Sequence, residues 1–297
     1  MKIAVLGAGT MGHGIAQVSA MGGHNVTVRD IKHELVDEGI EQIEKNLQGG
    51  VERDKINQEE KEKTLERISG TTDLEKAVSD ATLVIEAVPE DVDLKKQIFE
   101  DVEVHVSDDT VVASNTSSIS LTEIASALEE PDRAIGLHFF NPVHIMDLVE
   151  IVVPEQAENE TVDFAYSFVE GIDKTPVVVN DSPGFASSRL GVALGAEAMR
   201  MVQEGVASPQ DIDTAMELGY NHPMGPIELG DVVGLDVRLD ILEHLRDELG
   251  ERFRPPQILK KKVRAGKLGK KTGEGFYVWE DDEKVGVSTD WGDTDGR

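Results

Sequence analysis

The chain has 297 residues, 39% of them hydrophobic and none of them cysteine. That is long enough for two ordinary domains with real cores, and it excludes a disulfide scaffold, a zinc–thiolate site and thiol catalysis. Acidic residues outnumber basic ones 58 to 29 for a net charge of −29, a surface that repels nucleic acid and anionic membranes.

The first structural unit starts at once. Lys2–Leu6 is a continuous apolar run, as expected of a strand buried on both faces. Gly7-Ala8-Gly9-Thr10-Met11-Gly12 follows as G-x-G-x-x-G, opening a helix with Ile15 and Val18 on one face. These glycines allow a tight turn, a close backbone approach to a pyrophosphate and close helix–strand packing. "HNVTVRD" is a second strand ending at Asp30, placed to bond a ribose 2′-hydroxyl. A carboxylate there repels a 2′-phosphate, so the expected cofactor is NAD.

Residues 31 to 69 are charged and helical, with Leu35, Ile40, Ile43 and Leu47 before a "GG" break, which predicts an inserted helical hairpin of about 32–69. Strands are then expected at 81–88, 110–115, 133–140, 148–153 and 175–180, separated by helical segments, which argues for a doubly wound parallel α/β sheet. Beyond "NDSPGF" the period is helical throughout. Domains are therefore expected at 1–180 and 181–297, the second all-α with a loose acidic tail from about 280. No apolar run approaches the roughly 20 residues of a bilayer span, and the glycine loop begins too early for a leader. A cytoplasmic location is expected. The dispersed acids, as in "QEEKEKTLE", point to a halophilic protein whose self-repulsion is screened by salt.

Polar residues interrupt the apolar strands near their carboxyl ends: Glu86 in "LVIEAV", Asn115 and Ser117 after "TVVAS", and His138 in "AIGLHFF". In open parallel sheets that edge is where ligands sit. Ser120 with Glu123 reads as a capping box, which leaves Ser117 free. His138 alone would read as a core histidine. Glu150, buried in "LVEIV", gives it a partner that orients an imidazole for general acid–base work. His144 does not complete a ligand spacing with His138, so no metal is expected.

On "GAGTMGHGIAQ", "VIEAVPED", "SNTSSIS", "GLHFFNPV", "LVEIV", "DSPGF", "DIDTAMELGYNHPMGPIELGDVVGLD" and "GKLGKKTGEGFYVW", the chain resembles the 3-hydroxyacyl-CoA dehydrogenase family, in its short 3-hydroxybutyryl-CoA dehydrogenase-like form, over residues 1 to about 279. The resemblance implies a Rossmann-type NAD domain, an all-α C-terminal domain, an acyl-CoA substrate, a homodimer and a place in fatty-acid β-oxidation. It implies His138 as catalytic base, Glu150 as its partner and Ser117 on the substrate's 3-oxygen. It places Gly7, Gly9, Gly12 and Asp30 at the adenosine side of NAD, and Glu90, Lys95 and Asn115 near the nicotinamide ribose and ring. Lys45, Arg53, Lys55 and Lys61 of the hairpin are candidates for the CoA phosphates. Ser188 stands where the family usually has Asn on the substrate side, and it reaches less far than an amide. Two other readings stay open: a dehydrogenase of a free hydroxy acid or sugar acid, and a catalytically idle NAD-binding protein. A DNA-binding redox regulator would need a basic segment that the chain lacks.

Overall fold

Lys2–Leu6 forms β1 in a computed structural model that describes residues 1–288 of the chain. After it come α1 (Thr10–Met21), β2 (Asn25–Arg29), α2 (His33–Glu52), α3 (Gln58–Glu66), β3 (Ile68–Thr71), α4 (Leu74–Val78), β4 (Leu83–Glu86) and α5 (Val92–Glu103). The first unit, Met1–Phe185, continues through β5 (Val111–Ser114), α6 (Leu121–Ala125), β6 (Ala134–Phe139), β7 (Leu148–Val153), α7 (Asn159–Gly171) and β8 (Thr175–Asn180).

Its strands form one sheet in the order β3-β2-β1-β4-β5-β6-β7-β8. Ile3, Val5, Val28, Ile85, Ile135 and Ile151 pack one face of the sheet, while Ala4, Leu6, Val84 and Val112 pack the other. That two-sided burial is why the central strands read as unbroken apolar runs. Strand order reverses between β1 and β4, which opens a crevice beyond their carboxyl ends.

The inserted pair α2 and α3 buries Val36, Ile43 and Leu47 along one stripe of α2. Asn57 caps α3 in a reciprocal box with Glu60.

The sheet differs from the sequence expectation in two ways, and α2 runs through the Gly49-Gly50 pair where a break was expected. Residues 68–71 are strand β3 rather than the end of a helix, because they pair with β2 in parallel. A four-residue edge strand containing Gly70 carries no periodic signal of its own. The sheet is also not parallel throughout, since β7 runs antiparallel to β6. Only an eight-residue connection, 140–147, joins those two strands, too short for a parallel crossover.

The second unit, from Ala186 onward, contains α8 (Ser187–Glu204), α9 (Pro209–Tyr220), α10 (Pro226–Val233), α11 (Leu235–Leu249) and α12 (Gln257–Arg264), around a core including Val192, Met199, Leu242, Leu245 and Leu259. Gly234, at φ 107°, breaks α10 from α11. β9 (Tyr277–Glu280) and β10 (Glu283–Val287) then form an antiparallel hairpin where the sequence predicted a loose tail from about 280. Tyr277 and Trp279 bury their rings in the helical core and so anchor it. The rest of that expected tail, residues 289–297, lies outside the described residues. Among the described residues no helix is long and apolar enough to cross a membrane.

Candidate active site

β1 delivers the glycine loop to the crevice. Gly7 sits at φ 103°, and a Cβ on it would come within 2.5 Å of the Ala87 carbonyl, so only glycine fits. A Cβ on Gly12 would lie 1.7 Å from the Gly7 carbonyl oxygen, while one on Gly9 would meet nothing within 4 Å. Gly7 and Gly12 therefore serve the turn, and Gly9 leaves open space at the start of α1. That helix carries no side-chain cap and no acid in its first turn. Its positive end is unneutralised, which suits a pyrophosphate. Asp30 accepts the Ala8 amide at 2.8 Å on Oδ2 and the Ile31 amide at 2.7 Å on Oδ1, so its carboxylate is fixed beside the loop with lone pairs to spare. Arg29 is directed elsewhere, donating to the Thr72 carbonyl. The residues present fit NAD.

His138 and Glu150 are direct partners across β6 and β7. Nδ1 lies 2.9 Å from Glu150 Oε2, with both residues buried. The antiparallel turn-back sets up this pairing, since opposed residues have neighbouring Cβ atoms. Donation from Nδ1 to the carboxylate assigns the tautomer and leaves Nε2 as the acceptor. Two rings hold the imidazole: Phe140 with its centroid at 4.5 Å and Phe185 at 5.6 Å. Phe185 is buried with a left-handed backbone, φ 48°, an uncommon state for a bulky residue. Sequence reasoning missed both rings, although "GF" after a proline is a signal for such a turn.

β4 and β5 end in a buried polar network. Glu86 is fully buried, and its carboxylate takes Lys95 Nζ at 2.7 Å, the Val88 amide at 2.7 Å and Ser114 Oγ at 2.5 Å. Lys95 also reaches Glu90 Oε2 at 3.2 Å. Glu90 Oε1 then accepts from Thr116 Oγ1 (2.6 Å), the amides of Ser117 (3.0 Å) and Ser118 (3.1 Å), and Ser118 Oγ (2.9 Å). Burial alone would raise the Glu90 carboxyl, but the charge of Lys95 and the bonds from Thr116, Ser118 and Ser117 outweigh it and hold it below the ordinary range. Asn115 Oδ1 accepts the Phe139 amide at 2.9 Å, tying the end of β5 to β6 beside His138.

Ser117 is exposed on the loop after β5, and its hydroxyl bonds no described residue. Ser120 does cap α6, accepting the Glu123 amide at 3.2 Å, but the box is not reciprocal. Glu123 instead pairs with Lys96, and Ser120 Oγ donates to Asp181.

The structure thus brings the glycine loop, Asp30, Glu86, Asn115, Ser117, His138 and Glu150 to one edge of the sheet. Lys95 lies within that edge, buried among carboxylates. Lys55 stands exposed in the turn between α2 and α3. Lys61 is consumed within the hairpin by Glu44 and Gln48, and so is not a free phosphate contact. His144, by contrast, lies near other basic side chains: burial first, then Arg53, His13 and Lys174, lower its proton affinity. Ser188 lies in the first turn of α8, in the second unit.

The family profile described as "3-hydroxyacyl-CoA dehydrogenase, NAD binding domain" matches residues 2–182, and that of the family's C-terminal domain matches 184–279. A probable 3-hydroxybutyryl-CoA dehydrogenase of Deinococcus radiodurans is 45% identical over 94% of this chain and 100% of its own. The mitochondrial hydroxyacyl-coenzyme A dehydrogenase of Sus scrofa is 41% identical, covering 94% of this chain and 91% of its own. The crystal structure of (S)-3-hydroxybutyryl-CoA dehydrogenase from Ralstonia eutropha aligns with a TM-score of 0.91 at 39% identity, over 94% of this chain and 99% of that one. With both domain profiles matched in order and full-length relatives above 40% identity, the chain belongs to the 3-hydroxyacyl-CoA dehydrogenase family.

Proposed function

We propose that this chain carries out the NAD-dependent oxidation of an L-3-hydroxyacyl-CoA to the 3-oxoacyl-CoA, and the reverse reduction. The observation that carries this reading is the buried His138–Glu150 pair on the same sheet edge as the uncapped glycine-loop helix. His138 Nε2 accepts the proton of the substrate's 3-hydroxyl. Glu150, bonded to Nδ1, stabilises the imidazolium that forms. Ser117 donates its free hydroxyl to the reacting oxygen. Bound NAD supplies the acceptor for the hydride leaving C3. In the reverse direction His138 returns its proton to the oxygen. Arg53 and Lys174, with Lys55 at the hairpin turn, supply charge for the CoA phosphates beside the His13 and His144 imidazoles, whose proton affinities are lowered.

The second unit exposes Leu190, Leu218, Tyr220, Val232 and Val233 on α8, α9 and α10. An apolar surface of that kind on an otherwise highly acidic chain supports the homodimer reading. Light scattering at high salt tests it: twice the 32.4 kDa chain mass is expected, and a monomer at micromolar concentration contradicts it. Absence of cysteine fits a reducing cytoplasm.

Ser188, in place of the family's usual Asn, favours a second reading in which the substrate is a free hydroxy acid. NADH formation from 3-hydroxybutyryl-CoA and from free 3-hydroxybutyrate, at matched concentration, separates the two. Turnover of the thioester at least about a hundredfold faster supports the first reading, since the remote CoA contacts are then being used at the reacting centre. Equal rates, or a preference for the free acid, support the second.

A further inference from the structure

We propose that Glu90 acts as a positioning residue for Ser117, with Lys95 and Glu86 as the buried brace that fixes Glu90. The inference deepens the dehydrogenase reading and rests on it. Resemblance alone puts Glu90 and Lys95 against the cofactor. The geometry assigns them another task.

Lys95 has three N–H groups, and its ammonium faces Glu86 Oε1, Glu90 Oε2 and, at 3.4 Å, the Val88 carbonyl. It is 1% exposed. No donor is left to reach a ligand. Glu86 is locked in turn by Ser114 Oγ and the Val88 amide, so the brace is built into the ends of β4 and β5.

Glu90 is more exposed, yet its Oε1 faces the loop that carries Ser117, not solvent. Residues 116–119 belong to neither β5 nor α6, and their amides bond no backbone carbonyl among the described residues. Glu90 Oε1 takes the amides of Ser117 and Ser118, and Thr116 Oγ1 takes that of Ile119 while donating to the same carboxylate oxygen. One ionised oxygen therefore sets the backbone from Thr116 to Ser118. The Ser117 hydroxyl, which makes no bond of its own to a described residue, is aimed by that backbone alone. The charge is needed because an amide in place of the carboxylate keeps only one acceptor oxygen, so its N–H groups must face either the Lys95 ammonium or the amide donors of the loop.

Hydrogen exchange of the cofactor-free protein, read on the peptide spanning residues 114–120, tests the clamp directly. Glu90→Gln is expected to speed exchange of the Ser117 and Ser118 amides by about tenfold or more, and Lys95→Met to do the same. In the full enzyme Glu90→Gln should lower kcat by about tenfold or more, while the Kd for NAD stays within about threefold. Added to Ser117→Ala it should cost less than about a further twofold, because residues acting through one group are not additive. Glu90→Asp should regain part of the kcat lost in Glu90→Gln. Unchanged exchange in Glu90→Gln overturns the proposal. So does a Kd for NAD that rises in step with the loss of kcat/KM, or losses that multiply with Ser117→Ala. Should Lys95→Met not fold, Glu90→Gln decides alone, as its carboxylate lies at the surface end of the network. A wild type that turns over no hydroxyacyl-CoA refutes the dehydrogenase reading, and is distinguishable from all of these outcomes.

Discussion

His138 and Glu150 stand opposite each other in the register of β6 and β7, twelve residues apart in sequence and 2.9 Å apart between Nδ1 and Oε2. A buried carboxylate without a partner costs several kcal/mol, and this one has an imidazole. Replacing it by Glu150→Gln keeps the shape and one acceptor but removes the charge that stabilises the imidazolium. We expect kcat to fall by about 10²- to 10⁴-fold with folding intact. Steady-state kinetics beside a circular dichroism melt checks this, and a loss under about threefold would contradict it.

The glycines of the loop are separable by substitution. Gly9→Ala adds a methyl where the protein has no atom within 4 Å, whereas Gly12→Ala drives one into the Gly7 carbonyl at 1.7 Å. Gly9→Ala should therefore melt within a few degrees of wild type but lose NAD affinity, as only a ligand can be in its way. Gly12→Ala should lose both. Calorimetric titration with NAD and thermal melts give the comparison. Equal stability losses in the two variants would contradict it.

Much of this first half is written locally. An apolar strand, glycines at fixed offsets and an acid closing the next strand are all within 30 residues, so β1, α1, β2 and Asp30 can be read directly. The polar interruptions at Glu86 and His138 also stand out, because a charged residue inside an apolar strand is conspicuous, and they share the glycine loop's edge of the sheet. Their partners are less visible. That β7 reverses, that Lys95 turns inward to Glu86, and that Glu123 pairs with Lys96 rather than its own cap are consequences of which elements become neighbours. β3 and the β9–β10 hairpin escape notice for a related reason. They are short, and their register comes from β2 in one case and from rings buried in a helical core in the other.

Phe185 combines two costs that oppose each other on mutation. Its left-handed backbone, φ 48°, is strained by an amount on the order of 1–2 kcal/mol, while its ring packs on His138, Leu121 and Val152. Phe185→Leu keeps most of the burial and the strain but removes the ring. Stability should fall by about 1–2 kcal/mol, with kcat reduced because His138 loses one wall. Urea unfolding and kcat together test this, and an unchanged kcat would show that Phe140 alone holds the imidazole.

The second unit carries two buried carboxylates of structural use. Asp213 accepts the amides of Ile227 and Glu228 and the Tyr277 hydroxyl at 2.6 Å, and Asp231 accepts the amides of Phe276 and Tyr277 and Trp279 Nε1. Burial raises both carboxyls above their ordinary range, and the hydrogen bonds only partly offset it. Folded pKa values above unfolded ones mean that the native state binds more protons. The stability these two groups contribute therefore falls as pH rises from the ordinary carboxylate range through their raised values. Tyr277→Phe removes a charge-assisted bond at neutral pH, at a cost of about 1.5–3 kcal/mol, and a weaker one once Asp213 is protonated. The difference from wild type in urea unfolding should shrink as pH falls from neutral toward the ordinary carboxylate range. A difference that stays constant over that span would contradict the assignment.

A net charge of −29 predicts that salt stabilises the fold. Raising KCl from about 0.1 M to about 2 M shortens the screening length from about 10 Å to below about 3 Å, so the melting temperature should climb steeply. A flat or falling melting curve would remove the support for a halophilic setting.

The role of His138 as the base of an NAD-dependent 3-hydroxyacyl-CoA dehydrogenase is tested most directly by His138→Ala. With 3-hydroxybutyryl-CoA and NAD at high salt, the wild type should form NADH, and the variant should lose at least about a hundredfold in kcat while still binding NAD. A variant that keeps NAD affinity and turns over within about tenfold of wild type would contradict the account.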